Sequence, residues 1–499
     1  MSTNPILPGF YPDPSICRAG DAYYVAASSF EYFPGVPVFR STDLISWEQV
    51  GNALDRPSQL TLYRGLEAGS AGIYAPTLRH HDGLFWLVTT NAVDRADGHL
   101  IVHTADPAQG WSEPVHTKGA GGPGGIDPDL AWDEDGTCHL TWTQSHRITQ
   151  VPIDPMTGRL LAEPRVVWDG SGLAYCEAPH LYKRNDWWYL VVAEGGTDRG
   201  HAVCVARSRS ISGLFESHPA NPVFSHRSTN HSVQNTGHAD LIELPDGRWA
   251  MVYLGVRPRG SSPRFHVNGR ETFLAGVEWV DDWPVVVEDA FDVPPQPTSF
   301  TDDFTAPGLH PRWISPGTDP RGFTRAPDTA HGVVLTAGRT PDSRETVHLL
   351  ATRTRDAEWQ AEATVAAGDA ALVVQIDDAH WAAVERRGDT LTARAVVGPF
   401  DQHLSTAADI PADRPLAVRT VDTSGRLSLH NGPDRIELGH LDGDGAFHTL
   451  AGIDGRYLST EVAGGYTGRV VGVEALGGDA VLTRFTYTAP LPEPPDTMR

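Results

Sequence analysis

The sequence predicts an all-β protein, a five-bladed β-propeller followed by a β-sandwich. Three observations lead there. Fifty glycines and 39 prolines in 499 residues supply turns throughout, and few stretches repeat apolar residues at helical spacing. One short plan recurs five times in the first part of the chain. A proline-rich break then ends the repeat, and beyond it strand-like alternation continues without the plan.

Each repeat opens on a polar segment, usually with proline, adds an apolar residue, turns, and runs into a strand of aromatic and β-branched residues. The first reads Asp13-Pro-Ser-Ile, turns at Ala19-Gly-Asp21 and continues Tyr23-Tyr-Val-Ala-Ala. The second reads Ala75-Pro-Thr-Leu, turns at His81-Asp-Gly83 and continues Phe85-Trp-Leu-Val-Thr. The third reads Asp127-Pro-Asp-Leu, turns at Glu134-Asp-Gly136 and continues Cys138-His-Leu-Thr-Trp. The fourth reads Glu177-Ala-Pro-His-Leu, turns at Arg184-Asn-Asp186 and continues Trp188-Tyr-Leu-Val-Val. The fifth reads His238-Ala-Asp-Leu, turns at Pro245-Asp-Gly247 and continues Trp249-Ala-Met-Val-Tyr. Asp-Gly between alternating apolar runs is a strong hairpin signal. The spacing of about 50 to 60 residues suits a four-stranded blade with its loops. Radial closure of five blades leaves few open strand edges; an ordinary sandwich with similar hairpins is the alternative, and five repetitions argue against it.

After the fifth unit, Trp279-Val-Asp-Asp-Trp-Pro leads to the break Val293-Pro-Pro-Gln-Pro-Thr298. The propeller is therefore expected over 1–292, a linker over 293–298, a jelly-roll-like β-sandwich over 299–490 and a frayed tail over 491–499. Alternation at Ala361 to Val365, Ala371 to Ile376 and Leu391 to Val397 supplies strands of the second domain.

In a propeller the first strand of each blade lines the central channel, so the lead positions Asp13, Ala75, Asp127, Glu177 and His238 converge. Three carboxyls and an imidazole then share one cavity. Clustered like charges drive pKa values apart, leaving one carboxyl protonated as an acid while another is ionised as a base. Cleavage of a glycosidic bond requires that division.

The run Asn4-Pro-Ile-Leu-Pro-Gly-Phe-Tyr-Pro-Asp-Pro-Ser-Ile and the run Ser28-Ser-Phe-Glu-Tyr-Phe-Pro-Gly-Val-Pro-Val-Phe closely resemble glycoside hydrolase family 43. Further matching segments are Asp55-Arg-Pro-Ser-Gln-Leu, Tyr74-Ala-Pro-Thr-Leu-Arg, Ile126-Asp-Pro, Cys176-Glu-Ala-Pro-His-Leu-Tyr, Thr236-Gly-His-Ala-Asp and Gly269-Arg-Glu-Thr-Phe. Within the family the chain is similar to the β-xylosidase and α-L-arabinofuranosidase branch. The resemblance is dense to about residue 290, weaker beyond, and implies the same five-bladed propeller. It implies that Asp13 is the general base, Asp127 the acid that tunes and orients its neighbour, and Glu177 the general acid. It also implies inversion of configuration, with base and acid carboxyls roughly 6.5–9.5 Å apart. Arg270 matches an arginine that contacts sugar hydroxyls and steadies the base, a structural salt bridge being the alternative. Phe30 and Tyr74 match the aromatic walls of the first subsite, where tryptophan is commoner at the second position. His238 is expected to orient carboxylates or to approach a bound cation. Tyr466, in Gly464-Gly-Tyr-Thr-Gly-Arg, matches an aromatic residue that the second domain inserts into the pocket, with a sandwich or hairpin tyrosine as the alternative.

The expected activity is exo-acting release of terminal β-D-xylose and/or α-L-arabinofuranose from xylan- or arabinoxylan-derived oligosaccharides. The competing readings are an endo-acting arabinanase, which needs an open cleft, and a carbohydrate-binding propeller without catalysis, which the three acids oppose. No cofactor is required and no metal ligand set is assigned, although a structural or channel Ca2+ stays open, with Asp302-Asp303 as weak candidates in the second domain. A net charge of −24 disfavours nucleic acid and anionic membrane as partners, and no window reaches the ~18 apolar residues of a span. The partner is a small oligosaccharide, and a homo-oligomer is left open. Four scattered cysteines, none in a CxxC pair, and an N-terminus without basic or apolar signal regions lead to an expectation of cytoplasmic location.

Overall fold

A computed structural model describes residues 4–65, 69–122, 124–327, 331–338, 348–423 and 431–490. The expected tail, 491–499, lies outside the described residues. The first part is a five-bladed propeller of antiparallel sheets. Blade 1 comprises Ser15–Ala19, Ala22–Ala26, Gly35–Ser41 and Glu48–Leu54. Blade 2 comprises Thr77–His81, Leu84–Thr89, Leu100–Thr104 and Val115–His116. Blade 3 comprises Gly125–Trp132, Cys138–Gln144 and Arg147–Asp154, with Arg159–Leu160 and Arg165–Trp168 both paired to its third strand. Blade 4 comprises Glu177–Arg184, Trp187–Glu194, Ala202–Ser208 and Glu216–Ser217, and blade 5 Gln234–Glu243, Trp249–Val256, Glu271–Val280 and Trp283–Val287.

The turns do what their sequences specify. At the first hairpin of blade 2, Asp82 and Gly83 both take positive φ, 49° and 76°, the conformation that matches the right-handed twist of the flanking strands. Blade 4 uses Asn185, φ 52°, at the same point, asparagine being among the few residues that tolerate it. First strands of neighbouring blades touch all the way round, including blade 5 against blade 1. The N-terminal segment also closes the ring, Leu7 bridging Thr272 on the third strand of blade 5.

A buried polar knot ties the five blades together. Arg79 of blade 2 donates from Nη1 to Asp240 of blade 5 at 2.7 Å and to Ser15 of blade 1 at 3.1 Å. Its Nη2 donates to Asp129 of blade 3 at 2.7 Å and meets His180 Nδ1 of blade 4 at 3.0 Å. Tyr182 of blade 4 also donates to Asp240. Burial pushes the Asp240 carboxyl up, but Arg79 and its other partners overcome that and hold it at about 2. Charges this deep persist only when paired, so the knot makes each blade depend on the others.

The second part stacks an eight-stranded sheet on a six-stranded one around Trp313, Trp359, Leu372, Val384, Leu416 and Phe485. The sequence-read strands are there as Gln360–Ala367, Ala370–Asp377 and Thr390–Val397. Ser315–Pro316 pairs with Tyr32–Phe33 of the propeller, and Phe10 and Tyr32 share an apolar cluster with Ile314, Leu349 and Trp381. Arg353 stacks over Phe10 and Tyr11 and donates to the Phe10 carbonyl at 3.0 Å. The second domain is thereby fixed against the propeller face that carries the site. Asp302 accepts from Trp313 Nε1 at 2.8 Å, and Asp303 pairs with Arg484 at 2.6 Å, so protein donors occupy the weak calcium candidates. No helix among the described residues is long and apolar enough to cross a membrane.

Candidate active site

The inner strands are irregular where the acids sit. Asp13, Asp127, Ala178 and His238 have φ of 56°, 54°, 55° and 47°, left-handed values that cost a non-glycine residue roughly 1–3 kcal/mol. The pairing shifts register between Ile126 and Asp129, between Glu177 and His180, and between Gly237 and Asp240. Such bulges re-aim side chains at the rim of a sheet.

These dihedrals correct one part of the sequence reading. In blade 4 the residue equivalent to Asp13, Asp127 and His238 is Ala178, which precedes Pro179 as Asp13 and Asp127 precede Pro14 and Pro128. Glu177 stands one residue earlier than the repeat position assigned to it. Its equivalent in blade 3 is Ile126, which stands at the matching register shift and lines the same cavity.

Asp13, Phe30, Tyr74, Asp127, Glu177, His238, Arg270 and Tyr466 all line a single cavity of about 120 Å³. Asp13 is almost fully enclosed. Ser28 donates to its Oδ2 at 2.6 Å, Arg270 Nη1 to its Oδ1 at 3.1 Å, and His238 Nδ1 lies 3.3 Å from Oδ1. Burial raises the Asp13 carboxyl, but Arg270, His238 and Ser28 outweigh it and hold the group below the usual range. Asp127 has the opposite balance. Burial, then the neighbouring Glu177 and Asp13 charges, push it well above the usual range, opposed by the Ala178 amide that donates to it at 3.1 Å. Burial also raises Glu177, as does Asp13, while His146, 3.4 Å away, opposes. One carboxyl is thus poised as an anion and two as acids.

His238 falls to about 3 through burial, so at neutral pH it is an uncharged imidazole beside Asp13. That geometry matches the carboxylate-orienting role. Arg270 makes the salt bridge to Asp13 and also faces the pocket aromatics, its guanidinium 5.5 Å from the Phe30 ring and 5.3 Å from Tyr466. Tyr466 crosses from the second domain. Its ring lies 5.8 Å from Phe30 and 6.4 Å from Tyr74, and its amide donates to Ser70 at 2.8 Å. Ser70 in turn donates to Glu31, whose carboxyl burial pushes up to about 8.

Sequence reasoning missed four contributors. Ser28, in the run Ser28-Ser-Phe-Glu, donates to Asp13. Thr197 accepts from Arg270 at 2.8 Å, and His201, lowered to about 4 by burial, lines the same cavity. His146 faces Glu177 from a turn. The last three sit on loops off the repeat positions, where no periodicity marks them. A second space of about 460 Å³ adjoins the cavity and shares Glu177, Arg270 and Tyr466 with it.

The model described as glycosyl hydrolases family 43 matches residues 2–284, more than half of the chain. The chain belongs to glycoside hydrolase family 43. A second model, the beta xylosidase C-terminal concanavalin A-like domain, matches 301–487 of this family 43 protein. A xylosidase/arabinosidase of Butyrivibrio fibrisolvens is 44% identical over 300 residues, 57% of this chain and only 56% of that protein. A non-reducing end α-L-arabinofuranosidase of Bacteroides ovatus is 33% identical over 500 residues, 95% of this chain and 91% of that protein. Among solved structures, a xylan β-1,4-xylosidase from Bacillus halodurans superposes with a TM-score of 0.84 at 28% identity, covering 97% of this chain and 99% of the other.

Proposed function

We propose that this family 43 chain is an exo-acting, inverting glycosidase that releases terminal β-D-xylose and/or α-L-arabinofuranose from xylan- or arabinoxylan-derived oligosaccharides. The observation that carries this reading is the opposite setting of two carboxyls across one small cavity, Asp13 held low and Glu177 held high. Glu177 delivers its proton to the glycosidic oxygen as the bond breaks. Asp13 takes a proton from a water on the opposite face of the sugar, and that water becomes the anomeric hydroxyl. Asp127, itself held high by burial and by the Glu177 and Asp13 charges, orients its neighbour. Arg270 holds Asp13 anionic and offers its remaining donors to sugar hydroxyls. No cofactor enters this chemistry.

The exo mode is supported by size and closure. A cavity of about 120 Å³ suits one sugar ring, and Tyr466 forms part of its wall from the second domain. The adjoining space of about 460 Å³ offers room for the remainder of an oligosaccharide on the Glu177 side. An endo-acting arabinanase needs a cleft open at both ends. Four unpaired, buried thiols support a reducing, cytoplasmic location.

Aryl β-xyloside and aryl α-arabinofuranoside assays test the activity, with Glu177→Ala as the acid-free control. Proton NMR of the first-formed sugar tests the stereochemistry. Product with retained configuration, or wild-type protein inactive on both aryl glycosides and on arabinoxylan oligosaccharides, removes the reading. The ratio of kcat/KM for the two sugars ranks them.

A further inference from the structure

On the outer side of blade 5, away from the cavity lining, two histidines and a glutamate meet. His226 and His231 lie on the segment that leads into Gln234–Glu243, and Glu288 immediately follows Trp283–Val287. His226 Nε2 is 2.8 Å from Glu288 Oε2, and His231 Nε2 is 3.9 Å from the same oxygen. The two imidazole centroids are 4.0 Å apart, and the three ligand atoms all lie within 4.8 Å of one another. Among the described residues this is the one group of three such side chains.

Hydrogen bonds from behind set the orientation of both rings. His226 Nδ1 is 2.9 Å from the Val233 carbonyl, which can only accept, so Nδ1 carries the proton. In the neutral ring, Nε2 then presents a lone pair to a carboxylate oxygen 2.8 Å away. Two acceptors facing each other need a cation between them, either a proton or a metal. His231 Nδ1 accepts from the Val233 amide at 3.1 Å and lies 3.2 Å from the Val233 carbonyl. Accepting there places the proton of the neutral His231 ring on Nε2, facing Glu288. Val233 thus holds both rings from behind, and its carbonyl can take up the His231 Nδ1 proton when a metal replaces the one on Nε2.

We propose that His226, His231 and Glu288 form a zinc site that staples the loop entering blade 5 to the end of that blade's outermost strand. Two imidazole nitrogens and one carboxylate oxygen are a zinc donor set, and bonds of about 2.0–2.2 Å put neighbouring ligand atoms about 3.3–3.6 Å apart. The observed 2.8 and 3.9 Å bracket that spacing, so small side-chain rotations complete it. His226 is buried, whereas His231 and Glu288 are partly exposed, which leaves a path for the ion and a fourth position for water. The site is independent of the glycosidase chemistry.

The test uses the full chain after chelation and dialysis, titrated with Zn2+ alone by calorimetry and followed by thermal unfolding. One Zn2+ per chain, a raised Tm, and at least about tenfold weaker binding in both Glu288→Gln and His231→Gln are expected, since loss even of an outer-sphere partner commonly costs that much. His226 is left intact because its burial makes its variants prone to unfolding. X-ray absorption of the zinc-loaded wild type gives a check that does not depend on variants, with two imidazoles and a carboxylate oxygen expected. Hydrolysis of the aryl glycosides stays unchanged by chelation. Absence of stoichiometric binding, or uptake that both variants leave intact, overturns the proposal and assigns the His226–Glu288 contact to a proton. Zinc that binds but inhibits hydrolysis while ignoring Glu288→Gln belongs to the carboxylate cavity and overturns it equally.

Discussion

Replacing Arg270 by methionine removes the charge that holds Asp13 ionised while keeping most of the side-chain volume. The guanidinium approaches both Asp13 oxygens, at 3.1 and 3.4 Å, and both side chains are more than nine-tenths buried, so water and salt screen the pair weakly. Two unit charges ~4 Å apart at an effective dielectric of about 20 interact by about 4 kcal/mol. Arginine beside a carboxylate commonly lowers its pKa by about 1–3 units, and each unit is ~1.4 kcal/mol. Burial opposes the ionised form: without Arg270, neutral His238, neutral His201 and the Ser28 hydroxyl remain against it. The Asp13 pKa therefore rises. The base must be ionised to work, so the acidic limb of the kcat/KM profile moves to higher pH by about 1–3 units. Arg270 also lowers Glu177, so the alkaline limb moves up with it, by less. The assay is kcat/KM for an aryl β-xyloside against pH, wild type beside Arg270→Met and Arg270→Lys. Lysine keeps the charge without the two-pronged contact and should give an intermediate limb. A lower plateau with both limbs unmoved would refute the electrostatic role and reduce Arg270 to a sugar contact.

Tyr466→Ala strips the aromatic wall that the second domain contributes. Ring contacts of this kind are worth about 0.5–1.5 kcal/mol, so kcat/KM on aryl glycosides should fall roughly 2- to 12-fold, with Tyr466→Phe close to wild type; equal losses in the two variants would contradict a packing role. Arg79→Leu leaves Asp129 and Asp240 buried without their cation. Urea unfolding should show the propeller destabilised by about 3–5 kcal/mol, and a loss below ~1 kcal/mol would show that the knot does not bind the blades together.

The propeller was legible because its plan is local and repeated. An alternating strand with a Gly or Asn turn before it can be recognised five times without knowing where any blade sits, and closure then follows from the count. Asp13, Asp127 and His238 were legible for the same reason: they occupy equivalent positions, and equivalent positions converge on the axis. Glu177 reaches the cavity from one residue before the repeat position, the place that Ile126 takes in blade 3. Its neighbour Ala178 takes the left-handed conformation, and a bulge shifts the register between Glu177 and His180. Letter spacing fixes which residues alternate along a strand but not where an extra residue is accommodated, because that depends on the pairing strand. Thr197, His201 and His146 act from loops, whose paths are set by what packs against them. His226, His231 and Glu288 are harder still. Two of them are five residues apart on a connecting segment, and the third arrives only when blade 5 folds back on its own outer edge, 57 residues after His231. Convergence of that kind is a property of blade topology. The sequence holds the ligands, and the four-stranded fold of the blade brings them to one point.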